Sequence, residues 1–170
     1  MLAWLVSFSL TLNISVADAL ENEGLVEIRP RHGMIVKHIS VKDMREIYAV
    51  LTALESAAAA LAAARRPSAE ELAPMHDAVS EMDAALAADD LAAWAAADEK
   101  FHSTLVDLAG NSRISELVET FIGQSHRVRM LTLRMRPKPE GSNRDHRMVL
   151  EAIVGGDVET ARRVHREHRE

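Results

Sequence analysis

The feature that most constrains the fold is an unbroken run of helix-favouring residues from Val41 to about Arg65. Ser40 precedes the run and Asp43 follows three residues later, a capping-box pattern that is typical of a helix start. Apolar residues then recur at steps of three and four, as on one face of a helix: Ile47, Leu51, Leu54, Ala58 and Leu61. A long helix with one apolar stripe must bury that stripe against other elements, so the pattern predicts a helical bundle.

Five further segments have the same periodicity and predict the other helices of the bundle. They cover 69–88, 91–109, 112–135, 142–154 and the stretch after Asp157. Ser142 is the expected N-cap of the fourth of these, with Asp145 as its capping-box partner. Apolar content is 48% but aromatic content is only 4%, so the core must be aliphatic. We predict an all-α protein of six to seven helices, with a helical domain over 40–170 that is preceded by a separate unit over 1–39.

The pair Asp98 and His102 provides the first indication of a site. On a helix, a spacing of four residues places both side chains on one face, and here that face is apolar. His146 and His168 lie on the inward faces of two later predicted helices, and His165 could compete with His168. The chain contains no cysteine, so a metal site would have to use histidine and carboxylate ligands. A solvated Asp–His pair is the common explanation of this spacing alone, but it does not explain four inward groups.

Polar residues interrupt the apolar face of the helix predicted over 112–135. Gln124, Ser125 and Thr132 lie in the middle of that face, which predicts a polar cavity inside the bundle. Arg129, on the same helix, could turn inward and hold a carboxylate. An imperfect stripe in an ordinary bundle is the alternative. We therefore predict an effector site that uses these four residues.

The segment before the bundle reads as a β-hairpin, with strands over 25–30 and 34–39 and a turn between them. Cationic residues are concentrated on it: Arg29, Arg31, His32, Lys37 and His38. Such a hairpin is either simply solvated or a wing that lies against nucleic-acid phosphates. A net charge of −6 argues against a chain whose whole surface is basic, but a local basic patch remains compatible with it.

A short helix followed by EGLVEIRP and RHGMIVKHI resembles the end of the winged helix-turn-helix of GntR-type transcription regulators. The matching residues are Val16, Ala19, Leu20, Glu23, Gly24, Leu25, Val26, Arg29, Pro30, Gly33 and Val36. The resemblance implies operator DNA as a partner, with Ser15 facing bases and Arg29, Arg31, His32 and Lys37 near phosphates. The residues before Ser15 are too few for the two helices that precede the recognition helix in that family, so the winged helix is incomplete.

From Ser40 onward the chain resembles the all-helical effector-binding domain of the FadR subgroup of these regulators. The resemblance rests on two sequence patterns followed by a terminal His: D-x-x-F-H-x-x-L-x-x-x-x-G-N and D/E-H-x-x-x-L-x-A-I-x-x-G-D-x-x-x-A. They are filled by Asp98, Phe101, His102, Leu105, Gly110, Asn111, Asp145, His146, Leu150, Ala152, Ile153, Gly156, Asp157, Ala161 and His168.

That resemblance implies an antiparallel bundle of six to seven helices that encloses a divalent metal, commonly zinc, with nickel and manganese as the other candidates. Carried over by position, its ligands are Asp98, His102, His146 and His168. Open coordination positions would bind a small carboxylate effector. The chain departs from the family at Leu51. The first helix of the family often offers an arginine at this position, so the acid must be bound in another way in this chain.

Three functions stay open at this point. The first is a ligand-responsive transcription regulator, homodimeric and cytoplasmic; the second is a stand-alone binding module that has lost DNA binding. The third is a metal-dependent hydrolase, but no general base is evident beside the four ligands, so we do not expect an enzyme. The apolar start, MLAWLVSFSLTL, lacks the lysine or arginine of a signal peptide, and no continuous apolar run is long enough to predict a membrane span.

Overall fold

A computed structural model describes residues 16–18, 20–21, 26–29, 33–37, 39–135 and 137–169. Ser15, Arg31 and His32, which we predicted to contact DNA, lie outside the described residues, as does His38. Six α-helices make up the bundle: α1 Val41–Arg65, α2 Ala69–Ala87, α3 Leu91–Leu108, α4 Ser112–Thr132, α5 Glu140–Gly155 and α6 Val158–Arg169. A 3₁₀ turn, Leu133–Met135, continues α4, and 16–18 and 20–21 are also helical. The predicted fold class, a helical bundle preceded by a wing-like hairpin, is confirmed.

The hairpin consists of two four-residue strands, β1 Val26–Arg29 and β2 Gly33–Val36. They pair antiparallel, with Val26 opposite Val36 and Arg29 opposite Gly33. Val26 is buried whereas every residue of β2 is exposed. The predicted hairpin is therefore present, with shorter strands than the sequence pattern indicates.

Helix α1 is the central element of the bundle, since it packs against α3, α4, α5 and α6. Helix α2 packs mainly along α3. The core is aliphatic, as the low aromatic content predicts, and the largest apolar side chains with almost no exposure are Phe101, Leu51, Met75, Met82 and Leu105. Alanines make up much of the buried face of α1, and Ala58, Ala59, Ala62 and Ala63 are fully buried.

Among the described residues, α1 alone is long and apolar enough to cross a membrane by composition, with a mean hydropathy of 1.7 over its most apolar window. Half of that window is buried inside the bundle. The helix also carries Glu55, which is fully buried in the protein interior. Packing on four neighbouring helices accounts for this apolarity.

The start of α5 differs from the prediction. The N-cap position is Pro139, three residues before the predicted Ser142, and no side chain caps the helix. Ser142 and Asp145 therefore do not form a capping box. The nearby amide of Asn143 instead accepts a hydrogen bond from the Trp94 indole nitrogen at 2.8 Å. This buried contact anchors the first turn of α5 to α3 without a local cap.

Candidate metal and effector site

Four side chains from three helices converge in the bundle interior. Asp98 and His102 come from α3, His146 from α5 and His168 from α6, and their ligand atoms all lie within 4.8 Å of one another. Asp98 Oδ1 lies 3.8 Å from His102 Nε2 and 3.6 Å from His146 Nε2. The two imidazole nitrogens are 3.3 Å apart. The structure thus brings together the four residues that the sequence singled out.

Apolar packing directs these groups inward. Asp98 and His102 lie one turn apart on the same face of α3 as Phe101, which is fully buried. The Phe101 ring packs on the His146 imidazole with a centroid distance of 4.2 Å. Asp98, His102 and His146 are each at most 2% exposed. Groups of this kind are costly to bury unless they have partners, so the cluster calls for a cation or for hydrogen bonds.

The donor set fits a divalent metal. Burial lowers the pKa of His102 to about 3 and that of His168 to about 4, so both imidazoles are neutral and offer lone pairs near pH 7. The buried Nδ1 of His146 has no hydrogen-bond partner within the described part of the chain. Metal–nitrogen bonds of about 2.0–2.1 Å place tetrahedral ligand atoms roughly 3.3 Å apart, close to the separations seen here.

The second oxygen of Asp98 has a different partner. Arg129 reaches it from α4, and its Nη1 forms an ion pair with Asp98 Oδ2. Arg129 is only 8% exposed, and burial lowers the pKa of its guanidinium. One oxygen of Asp98 thus faces the histidines while the other faces an arginine.

A second charged group lies behind His102. Glu55 Oε2 is 3.0 Å from His102 Nδ1 and 3.3 Å from His165 Nε2. Arg169 donates to Glu55 from Nε at 3.0 Å and from Nη2 at 2.6 Å. Burial by itself would raise the pKa of Glu55, but Arg169 and His102 outweigh it and hold the pKa well below its ordinary value.

The sequence interpretation missed Glu55 and Arg169. Glu55 follows Leu51 by four residues and precedes Ala58 by three, so its place on the apolar stripe of α1 was a usable signal. Arg169 directly follows His168 in the last turn of α6, where a basic residue is unremarkable. Nothing in the spacing indicated that its side chain would cross to α1.

A cavity of about 400 Å³ adjoins the cluster. Its polar lining includes Asp98, His102, His168, Arg129, Arg169, Tyr48 and Ser142, and its apolar lining includes Trp94, Leu133, Pro137 and Pro139. Cavities of this size accommodate small organic molecules. The cavity gives a ligand access to three of the four converging groups, Asp98, His102 and His168, and to two guanidinium groups.

The four predicted effector residues have different surroundings. Arg129 lines this cavity. Ser125 is fully buried, and its hydroxyl has no hydrogen-bond partner among the described residues. Gln124 lies on the wall of another cavity, beside Lys37. The Thr132 hydroxyl donates to the carbonyl of Val128 in its own helix at 2.9 Å, which is usual for threonine inside a helix.

Two of the predicted DNA-contacting residues are described. Arg29 lies at the end of β1, where its Nε donates to Glu27 at 2.9 Å, so a phosphate would compete with that carboxylate. Lys37 follows β2 and is exposed. Its backbone carbonyl accepts a hydrogen bond from Arg127 of α4. The hairpin is thereby tied to the helix that also carries Arg129.

Comparison with known proteins identifies the family of the bundle. The FCD domain family matches residues 46–170. An HTH-type transcriptional regulator of Agrobacterium vitis, encoded in the TAR-I ttuE-ttuC' intergenic region, is 50% identical over 92 residues, which cover 53% of this chain and 54% of that protein. The HTH-type transcriptional regulator YdhC of Bacillus subtilis is 28% identical over 145 residues, covering 84% of this chain and 64% of that protein.

Solved structures share the fold. McbR/YncC of E. coli superposes with a TM-score of 0.79 at 16% identity, over 91% of this chain and 78% of that one. A GntR protein of Streptococcus agalactiae superposes with a TM-score of 0.60 at 21% identity, over 90% and 76% of the two chains. The chain spans between half and two thirds of the length of the two curated relatives. On the match over 46–170, the chain belongs to the FCD domain family, whose members form the C-terminal part of GntR regulators.

Proposed function

We propose that this chain is the sensing part of a ligand-responsive transcription regulator. In this proposal the bundle binds a divalent metal and a small carboxylate, and their binding controls the affinity of paired DNA-binding units in a cytoplasmic homodimer. The observation that carries the proposal is the convergence of one carboxylate and three imidazoles beside a cavity of about 400 Å³, which Asp98, His102 and His168 line. The relatives named as HTH-type regulators support the regulatory role.

Asp98, His102, His146 and His168 would hold the metal, which is zinc in our proposal, with nickel and manganese as alternatives. Mixed imidazole and carboxylate ligands suit these borderline ions. When bound, the metal supplies a positive charge that a carboxylate ligand can coordinate. The protein supplies neutral imidazoles, an enclosed environment and a fixed orientation of each donor.

The effector would occupy the adjoining cavity. Arg129 and Arg169 contribute positive charge to its lining, and Tyr48 and Ser142 contribute hydroxyl groups. Guanidinium groups bind carboxylates with paired hydrogen bonds, so an organic acid of a few carbons matches both the size and the charge of the cavity. The apolar side chains of the lining, including Trp94, favour an acid with a small hydrocarbon part.

Helix α4 would connect this cavity to the DNA-binding half. Arg129 contacts Asp98, while Arg127, two residues earlier, holds the carbonyl of Lys37 at the end of the hairpin. An effector that binds one position of α4 more tightly than another would shift the hairpin with it. The change in DNA affinity can be no larger than the effector's differential affinity for the two states.

The decisive experiment measures metal content. Protein purified without an affinity tag, exposed to zinc and desalted, should retain one metal per chain by mass spectrometry. His146→Ala should lose it, whereas His76→Ala, which removes an exposed histidine on α2, should retain it. A metal-free wild-type protein, or equal metal content in both variants, would refute the proposal.

A second experiment tests the effector and the DNA. A set of small mono- and dicarboxylates is screened by thermal shift with and without zinc, and hits are retested on Arg129→Met. If the proposal is right, a carboxylate that binds should raise the melting temperature only when zinc is present and Arg129 is intact. Mobility shift of DNA from the region upstream of its own gene then separates a regulator from a binding module without DNA affinity.

A further inference from the structure

Glu55 is a fully buried carboxylate, and its ion-pair partners in the described part of the chain, Arg169, His102 and His165, can all donate hydrogen bonds. Arg169 from α6 contacts both of its oxygens, and His102 and His165 approach Oε2. Building on the metal site proposed above, we propose that Glu55 and Arg169 are a positioning pair that determines which nitrogen of His102 faces the metal. Neither residue would touch the metal itself.

The hydrogen bonding around Glu55 determines the tautomer of His102. An ionised carboxylate can only accept hydrogen bonds, so the ring nitrogen that faces it must carry the proton. That nitrogen is Nδ1, at 3.0 Å from Glu55 Oε2. A neutral imidazole has one proton, so the lone pair of His102 is on Nε2, which faces Asp98 and His146. Carboxylates that fix metal-bound histidines in this way also raise their affinity for the metal.

Arg169 holds the carboxylate of Glu55 in place. A carboxylate at this depth needs hydrogen-bond donors for both of its oxygens. The guanidinium contacts both oxygens, and its side chain is itself only 4% exposed. Arg169 would therefore act on the metal site through the position of Glu55 on α1.

The same pair excludes an alternative metal site. Glu55, His102 and His165 also place ligand atoms within 4.8 Å of one another. Arg169 brings a fixed positive charge to that group and already contacts both oxygens of Glu55, so a second cation there would be repelled. His165, three residues before His168 on α6, would donate from Nε2 to Glu55 and would not bind the metal.

The test compares metal affinity in three variants. Glu55→Gln removes the charge of the acceptor, Arg169→Met removes its partner, and Arg163→Met is the matched control. Arg163 lies on the same helix, but its guanidinium is exposed and pairs with Glu167 at the surface. Zinc affinity is measured by competition with a chromogenic chelator, and the visible spectrum of the cobalt(II) form reports the ligand field.

We expect Glu55→Gln and Arg169→Met to weaken zinc binding by about 10- to 100-fold and to change the cobalt spectrum, while Arg163→Met leaves both unchanged. His165→Asn should retain the metal, whereas His168→Asn should not. Wild-type zinc affinity and spectrum in both Glu55→Gln and Arg169→Met would overturn the positioning role and leave the metal site intact. Loss of the metal in His165→Asn equal to that in His168→Asn would also overturn it.

A measurement on the unaltered chain covers the case in which these variants do not fold. Long-range ¹⁵N–¹H imidazole spectra of the metal-free wild type assign each histidine tautomer directly. The positioning role of Glu55 and Arg169 predicts a proton on Nδ1 of His102 at pH 7.5. A proton on Nε2 instead would overturn the inference. If the wild type binds no metal, the proposed function fails. The metal titration shows this independently of the tautomer of His102.

Discussion

Asp98 has two functions in the structure, and substitution can separate them. Its Oδ1 faces His102 and His146, where the metal is proposed, and its Oδ2 pairs with Arg129. Asp98→Asn keeps the shape of the side chain but removes its charge. The variant should therefore lose metal binding and should also leave Arg129 as a buried, uncompensated cation.

The size of the expected loss of stability follows from the burial of the two side chains. Asp98 is 2% and Arg129 is 8% exposed, so this is an interior ion pair. Removing one partner of such a pair costs about 3–5 kcal/mol, whereas replacing both partners with uncharged groups is often nearly neutral. Asp98→Asn should thus be strongly destabilised, and Asp98→Asn with Arg129→Met should recover most of that loss. The double variant should still bind no metal.

Urea unfolding followed by circular dichroism, with EDTA present, gives the stability of the wild type, both single variants and the double variant. Zinc titration of the same four proteins gives the metal binding. In Arg129→Met, Asp98 keeps its charge and its metal-facing oxygen, so zinc should stabilise this variant more than it stabilises the wild type. A double variant as unstable as Asp98→Asn, or retained zinc binding in Asp98→Asn, would refute this reasoning.

Three further outcomes are expected. The folded-state pKa values of His102 (about 3) and His168 (about 4) lie below that of an unfolded histidine, so the unfolded state binds protons more readily. The free energy of unfolding of the metal-free protein should therefore be highest above pH 7 and should fall on acidification, by about 2 kcal/mol per histidine at pH 5. Urea unfolding at a series of pH values measures this fall. Gly156→Ala should cost about 1–2 kcal/mol in the same assay, because φ is +71° and the new Cβ would lie 2.7 Å from Arg66 Cζ; an unchanged midpoint would contradict this. Ser40→Ala should cost about 1 kcal/mol by removing the N-cap of α1, again as a shifted urea midpoint.

Helical periodicity was sufficient to predict the bundle, because long amphipathic segments with caps leave few alternatives. The start of α5 was the exception. Local rules favoured Ser142 as a cap, but the tertiary hydrogen bond between Asn143 and Trp94 anchors that turn to α3. Tertiary contacts between residues distant in sequence override local propensity, and no pattern within one segment shows them.

The candidate site was predictable to the extent that its residues repeat at helical spacing. Asp98 and His102 share one face of α3, and inward histidines on α5 and α6 follow from the same periodicity. The ion pair behind them was not predictable: the place of Glu55 on the apolar stripe of α1 was a signal, but nothing in the spacing identified Arg169 as its partner. Contacts that join α1 to the last turn of α6 are set by packing and not by spacing.

The cavity of this protein and the family pattern differ in which helix supplies the positive charge. The first helix of the family often offers an arginine at the position of Leu51, and here Leu51 is fully buried in the apolar core. The guanidinium groups that line the cavity come from α4 and α6, through Arg129 and Arg169. An acid held by Arg129 would bear on α4 directly, the helix that also contacts the end of the hairpin through Arg127. Moving the cation from α1 to α4 would therefore connect the acid to the hairpin through a packed contact, beside the direct chain connection that α1 already provides.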